Sequence, residues 1–327
     1  MEEGTMAFKF GVVSGAVVLA LGSLGCDEVD GDDEAVGFGD EEVVQPRSTQ
    51  ENGWNLNGWN LNNWKLNGAR LNDTKLYRDA NQTEYIQLHD IWLPDGDYVT
   101  SGSLVGGMLK VGDYTDWEVE DTTFDFMVKE GATTYWKYVW LKYAYPVPGF
   151  TDVWEYDLDL QVSLINQPLC VDGQGKRTRA LLLGDVWDPA TGAKTFPRPD
   201  KALTFACKDG ALAKCVLFGY RPWATVNGVS LADYHQACTR MVRADYCGDG
   251  QSHTTLGTPI HVLDQLGIQN ADANTPYVVE AEWGPNGAVC LNPSNARKPN
   301  LTLGCNIPTC GAPFASGGLI QSGKIVP

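Results

Sequence analysis

The stretch VWEYDLDLQVSLI, residues 153–165, alternates polar and apolar side chains over most of its length. Glu155, Asp157, Asp159 and Gln161 take one phase, and Tyr156, Leu158, Leu160 and Val162 take the other. A period of two belongs to a half-buried strand, because successive side chains of a strand point to opposite faces. The segments around it agree. YIQLHDIWL (85–93), TTFDFMV (122–128), YWKYVWLKYAY (135–145) and ALLLGDVW (180–187) are dense in Tyr, Trp, Val and Leu. The turn clusters LPDGDY, KEGAT and DPATG separate them. Residues 77 to about 205 therefore predict an antiparallel sheet or a barrel-like sandwich.

Helical spacing follows. KDGALAKCVLFGY (208–220) offers Asp209 as N-cap and Gly219 as a stop. VSLADYHQACTRMVRADYCGDG (229–250) offers Ser230 as N-cap, Asp233 in the first turn and Gly248 as the stop. Its Leu231, Tyr234, Cys238, Met241 and Val242 predict one buried face. The helical insertion is placed at about 209–247, and VLDQLGIQ and YVVEAEWGPNGAVCL read as short strands with turns. The tail, 296–327, is rich in Gly and Pro and reads as stapled rather than packed. The fold class expected is α+β: a β-rich antiparallel sheet or sandwich body with two short-to-medium helices, held by disulfides.

The first 26 residues are not counted as fold. After Lys9 runs an apolar stretch of about fourteen residues, short for a membrane span and suited to a secretory h-region. It ends at Gly25-Cys26, which resembles a lipoprotein cleavage site with Cys26 as the lipidated residue; ordinary signal-peptide cleavage nearby is the alternative. Residues 27–44 carry nine acids and no base. Such a segment repels itself and buries too little to order, so 27–51 is expected to be a disordered tether. The chain carries a net charge of −17; without those nine acids and the single net negative charge of the leader, the body is at −7. No basic face is visible, which argues against a nucleic-acid partner.

Residues 52–76 repeat with period five, with leucine at 56, 61, 66, 71 and 76 and asparagine opening every unit. This fits neither a helix nor a strand period. The pattern is similar to pentapeptide repeats, which wind as a four-sided β-helix. Trp54, Trp59 and Trp64 stand where that family needs a small residue. An extended arm laid over the main domain is the preferred reading, and unburied tryptophans there would suit stacking on sugars.

Nine cysteines occur. Setting Cys26 aside leaves Cys170, Cys207, Cys215, Cys238, Cys247, Cys290, Cys305 and Cys310. An even count in an exported chain predicts four disulfides, with pairing undetermined. Local pairs are suggested for Cys305 with Cys310, Cys238 with Cys247, and Cys207 with Cys215. His235, Cys238, Cys247 and His253 lack the paired spacing of a structural zinc site, and a thiol nucleophile would break the parity. No metal and no cofactor is expected.

GALAKC (210–215), GYRPW (219–223), HQACTRMVRADYCGDG (235–250), GTPI (257–260) and EAEWGPNGAVC (280–290) together resemble the ADYC domain, from roughly 85 to 295. Its name is spelled here by Ala244-Asp245-Tyr246-Cys247. The resemblance implies an exported bacterial protein of a group found largely in myxobacteria, and it brings no assigned activity. The domain is placed at 77–295, directly after the repeat.

Two functions follow for the 235–254 region. Arg240 and Arg243 in the last turn favour the helix C-terminus and can pair with Asp245, Asp249 or the Glu pair, and His235 can pack on the exposed flank; this makes the region a stapled corner. Alternatively, His235 or His253 works with Asp245, or with Glu280 and Glu282 on one strand face, as a secreted hydrolase. No G-x-S-x-G, H-E-x-x-H, P-loop or dinucleotide fingerprint is present. The favoured expectation is a cell-envelope lipoprotein with a structural or recognition role. Its partners are the membrane, through the N-terminal lipid, and an envelope protein or glycan; catalysis is left open.

Overall fold

The computed structural model describes residues 49–51, 69–71, 75–77, 81–162, 165–196, 202–255, 257–270 and 276–326. The leader, Cys26, the whole acidic run 27–44 and the three repeat tryptophans lie outside these residues.

The strands used below are β1 (Thr49–Glu51), β2 (Ala69–Arg70), β3 (Leu76–Tyr77), β4 (Tyr85–Trp92) and β5 (Thr123–Glu130). Next come β6 (Thr133–Pro146), β7 (Trp154–Val162), β8 (Ala180–Leu183) and β9 (Ala202–Cys207). Helices α1 (Ala211–Leu217) and α2 (Ala232–Arg243) follow. The last four strands are β10 (Pro259–Asp264), β11 (Tyr277–Gly284), β12 (Gly287–Leu291) and β13 (Ile320–Ile325).

The large sheet is antiparallel with the order β2-β9-β8-β7-β6-β5-β4-β3; short strands Tyr98–Val99 and Ile165–Pro168 pair at β4 and β7. Phe126 on β5 and Phe205 on β9 stand four places apart in this order, yet their rings are 6.1 Å apart. A flat sheet would separate them by about 19 Å. The sheet therefore curls, as the barrel-like expectation had it, and closes around Leu88, Ile91, Phe124, Phe126, Val139, Leu141 and Tyr156, all fully buried.

The described pieces of the repeat belong to this sheet. β2 pairs with β9, and Ala69, Leu71 and Leu76 are buried in its core.

β8 reads ALLL and is buried on both faces. Ala180 and Leu182 enter the curled core, whereas Leu181 and Leu183 meet Leu212, Ala213 and Val216 of α1. Helix α1 thus covers the outside of the sheet at β8 and β9. Over β4, β5 and β6 the burial alternates, and the outer phase is part-buried to exposed, with no helix of the described residues packed on it.

The second sheet has the order β1-β10-β13-β11-β12. Helix α2 packs on it through Tyr234, Cys238, Met241 and Val242, which share a core with Val262, Trp283 and Ile320.

Several expectations need correction. Residues 49–51, assigned to the tether, pair with β10. The tail is not merely stapled: its end, β13, is the central strand of the second sheet, so the folded body runs past residue 295. The Gly and Pro content of the tail reads as loop, but inside the sheet Gln321 reaches Glu282 and Ser322 reaches Glu280. The cap of α1 is Gly210 rather than Asp209, and Leu231 occupies the cap position of α2, with Ser230 accepting from the Ala232 amide at 3.3 Å. The helix stops at Ala244, four residues before Gly248.

All eight cysteines pair, but none of the three local pairs forms. The bonds are Cys170–Cys207, Cys215–Cys238, Cys247–Cys305 and Cys290–Cys310. Cys207 points into the curled core and Cys215 into the core under α2, so neighbours in sequence face different interiors.

Candidate functional site

Each letter of Ala-Asp-Tyr-Cys has a separate task. Ala244 adopts the left-handed conformation (φ 51°, ψ 44°) that ends α2. Its amide donates to Met241 O at 3.0 Å, and that of Asp245 donates to Arg240 O at 2.9 Å. This is the paired closure of a helix end that usually employs glycine. Asp245 is fully buried and accepts from Arg240 Nη1 at 2.6 Å and from the Gly250 amide at 3.0 Å. Tyr246 stacks on Trp283 with ring centroids 5.2 Å apart and donates its hydroxyl to Glu280 Oε1 at 2.6 Å. Cys247 ties the corner to Cys305. Gly248 and Gly250 have positive φ, and a Cβ at either would lie 2.0 Å from a backbone oxygen, of Asn286 and Ala190 respectively. The CGDG run therefore admits no side chain at its glycines.

The proposed catalytic groups are placed by the same corner. Glu280 accepts from Arg297 Nη2 at 2.6 Å, from the Arg297 amide at 3.0 Å and from Ser322 Oγ at 2.7 Å. Burial alone would raise its pKa, but Arg297 and these hydrogen bonds hold it below the usual carboxylate value. Glu282 goes elsewhere, accepting from the Phe314 amide and from Gln321 Nε2. A register shift between Val279 and Ala281 breaks the alternation that would have given the two carboxylates common surroundings.

His235 is not on an exposed flank. It is fully buried, and its Nε2 lies 3.0 Å from Leu212 O. A carbonyl only accepts, so Nε2 carries the proton. Burial, then the charge of Lys194, lowers its pKa to about 3. His253 lies beside the Tyr246 ring at 5.8 Å rather than on Asp245. Arg240 and Arg243 do reach Asp245, while the Glu pair has other partners. His235, Asp245, Glu280 and Glu282 are each buried in their own hydrogen-bonded setting, and none of the four side chains reaches the surface. Among the described residues no three His, Cys, Asp or Glu side chains gather as metal ligands.

A different surface stands open. On β6 the inward phase is Val139, Leu141 and Ala144. The outward phase is Trp136, Tyr138, Trp140, Tyr143 and Tyr145, kept in step by a bulge between Leu141 and Tyr143. Trp136 and Tyr143 are 44% and 48% exposed. Carboxylates flank this row on both sides, in two electrostatic regimes. On β7, Asp157 and Asp159 are held by Arg177, and Glu155 by Arg179 and Lys208. Arg179 also lies over the Tyr145 ring at 3.8 Å. On the other flank Asp90 of β4 stands directly opposite Asp125 of β5. Asp90 pairs with His89 Nδ1 at 2.7 Å, and Asp125 accepts from Trp92 Nε1 at 3.0 Å.

The signal was in YWKYVWLKYAY: its largest rings fall on the phase opposite to the core residues. Density of β-formers alone concealed it, because Trp and Tyr favour strands on either face.

The family model of the ADYC domain matches residues 104–297, more than half of the chain. No curated protein matches it. No solved structure matches it.

Proposed function

The chain belongs to the ADYC domain family, and from that premise we propose that it is an exported recognition module that binds a glycan of the cell envelope through the outer face of its large sheet. The observation that carries this reading is the outward row Trp136, Tyr138, Trp140, Tyr143 and Tyr145, of which Trp136 and Tyr143 are exposed and the other three part-buried. Strand propensity and ring stacking account for aromatic residues on either face, but Trp136 and Tyr143 are also left exposed, and exposed aromatic patches mark interaction surfaces. The negative face of an aromatic ring attracts the polarised C–H bonds of a pyranose, and the flanking carboxylates accept from sugar hydroxyls.

The four disulfides mark an oxidising, extracytoplasmic setting. The apolar leader ending at Gly25-Cys26 supports anchoring through a lipid on Cys26. No helix among the described residues is long and apolar enough to cross a membrane.

Binding to isolated envelope polysaccharide, measured for the exported chain and for Trp136→Ala and Tyr143→Ala, tests the recognition role. Both variants should keep the fold and lose most of the binding; unchanged binding in both would remove the aromatic face from consideration. Fatty-acid labelling lost in Cys26→Ala would support the anchor.

A further inference from the structure

We propose that the facing carboxylates Asp90 and Asp125 form the polar centre of a saccharide site selective for amine-bearing sugars. This rests on the glycan reading above and adds the class of sugar.

Three observations converge. First, neither carboxylate has a lysine or arginine ion-pair partner among the described residues, while those on β7 do. With His89 protonated, the His89, Asp90 and Asp125 group still carries a net negative charge. Burial, and then the charge of Asp90, raises the pKa of Asp125, with the Trp92 hydrogen bond opposing. A ligand cation would relieve that repulsion.

Second, the pair lies between exposed rings. Trp92 donates to Asp125, and Trp136 meets the His89 ring edge-on at 5.2 Å. Indole faces attract an ammonium group and stack on the sugar that carries it.

Third, the acidity continues. Trp92 touches Tyr98 at 5.3 Å, and Tyr98 lines a cleft of about 560 Å³. The cleft walls hold Asp95, Asp97, Asp113 and Glu118 and, among the described residues, no basic side chain. Its size falls in the ordinary range for ligand sites. A uronate or phosphorylated sugar would meet like charge along this whole path, whereas a polyamine sugar would meet opposite charge.

The test is calorimetry on the exported chain at mildly acidic pH, where a sugar amine is protonated. The probes are a glucosamine hexamer, its fully N-acetylated counterpart and a galacturonate hexamer. The glucosamine oligomer should bind at least about tenfold tighter than the acetylated one, a difference of about 1.4 kcal/mol. Added salt should weaken it, and the uronate should not bind. Asp125→Asn and Asp90→Asn, each near-isosteric at a solvent-accessible position, should separately abolish the preference while leaving the melting temperature in place. Equal affinity for amine and acetylated oligomers, with binding lost in Trp136→Ala, would overturn the amine selectivity and leave the glycan reading intact. Tightest binding to the uronate would also overturn it. Failure of the glucosamine oligomer to bind a chain that still binds envelope polysaccharide would overturn the amine selectivity alone; failure of the polysaccharide to bind as well would overturn both.

Discussion

The corner at the end of α2 and the outer face of β4, β5 and β6 both set carboxylates beside aromatic rings, but they dispose of the charge differently. In the corner, Asp245 and Glu280 are fully buried, and each meets an arginine, Arg240 or Arg297, at 2.6 Å. On the face, Asp90 and Asp125 are partly exposed and lack such partners among the described residues. A buried carboxylate without a cation would cost several kcal/mol, so its partner must come from within the fold. A carboxylate at the surface is hydrated and can wait for an outside partner. The corner's charges are spent on holding three chain segments together: α2, the β11–β12 hairpin and the loop carrying Arg297. Those of the face remain available.

Removing one member of the corner's pairs should have the largest effect. Arg297→Met leaves Glu280 buried and unpaired, and should destabilise by about 3–5 kcal/mol in urea unfolding. Adding Glu280→Gln to it should recover part of that loss. A cost below about 1 kcal/mol would mean that the corner is no more dependent on pairing than the face.

The bond Cys215–Cys238 joins the two helices across 23 residues. Replacing both cysteines by alanine should cost about 2–4 kcal/mol. The glycan binding proposed for the aromatic face should persist below the new melting temperature, since the large sheet has its own core. Simultaneous loss of binding under conditions where the chain stays folded would join the two regions functionally.

Acid should separate them further. His235 titrates at about 3 in the folded chain against an ordinary value of 6.5. The unfolded chain therefore takes up the proton first. The contribution of neutral His235 is complete above 6.5 and is lost as pH falls from there toward 3. The slope from this residue is at most about 1.4 kcal/mol per pH unit. His235→Gln keeps a donor for Leu212 O and should flatten the stability profile over this window relative to the parent. Superimposable profiles would exclude His235 as the source.

The smallest stability effect belongs to the face. Trp136→Ala should change unfolding free energy by less than about 1 kcal/mol, since a half-exposed ring contributes little packing. A loss above about 2 kcal/mol would make the stripe part of the scaffold.

The sequence by itself determined the strand character of residues 85–187, the existence and buried face of α2, and the disulfide bonding of all eight cysteines outside the leader. These are local properties: alternation, helical spacing and parity need no knowledge of the partner. The tertiary structure alone decided the pairings. Cys207 and Cys215 are eight residues apart and face different cores. β13 becomes a central strand because Gln321 and Ser322 find Glu282, Glu280 and Trp283. Ala244 ends the helix ahead of Gly248 because both glycines of CGDG are needed for close backbone approach elsewhere. The same holds for the site. His235, Asp245, Glu280 and Glu282 carry the residue types of a reaction centre, but what a titratable group does depends on what surrounds it. Only the fold, by closing over some carboxylates and leaving others at the surface, separated the groups paired inside the protein from those that remain in contact with solvent.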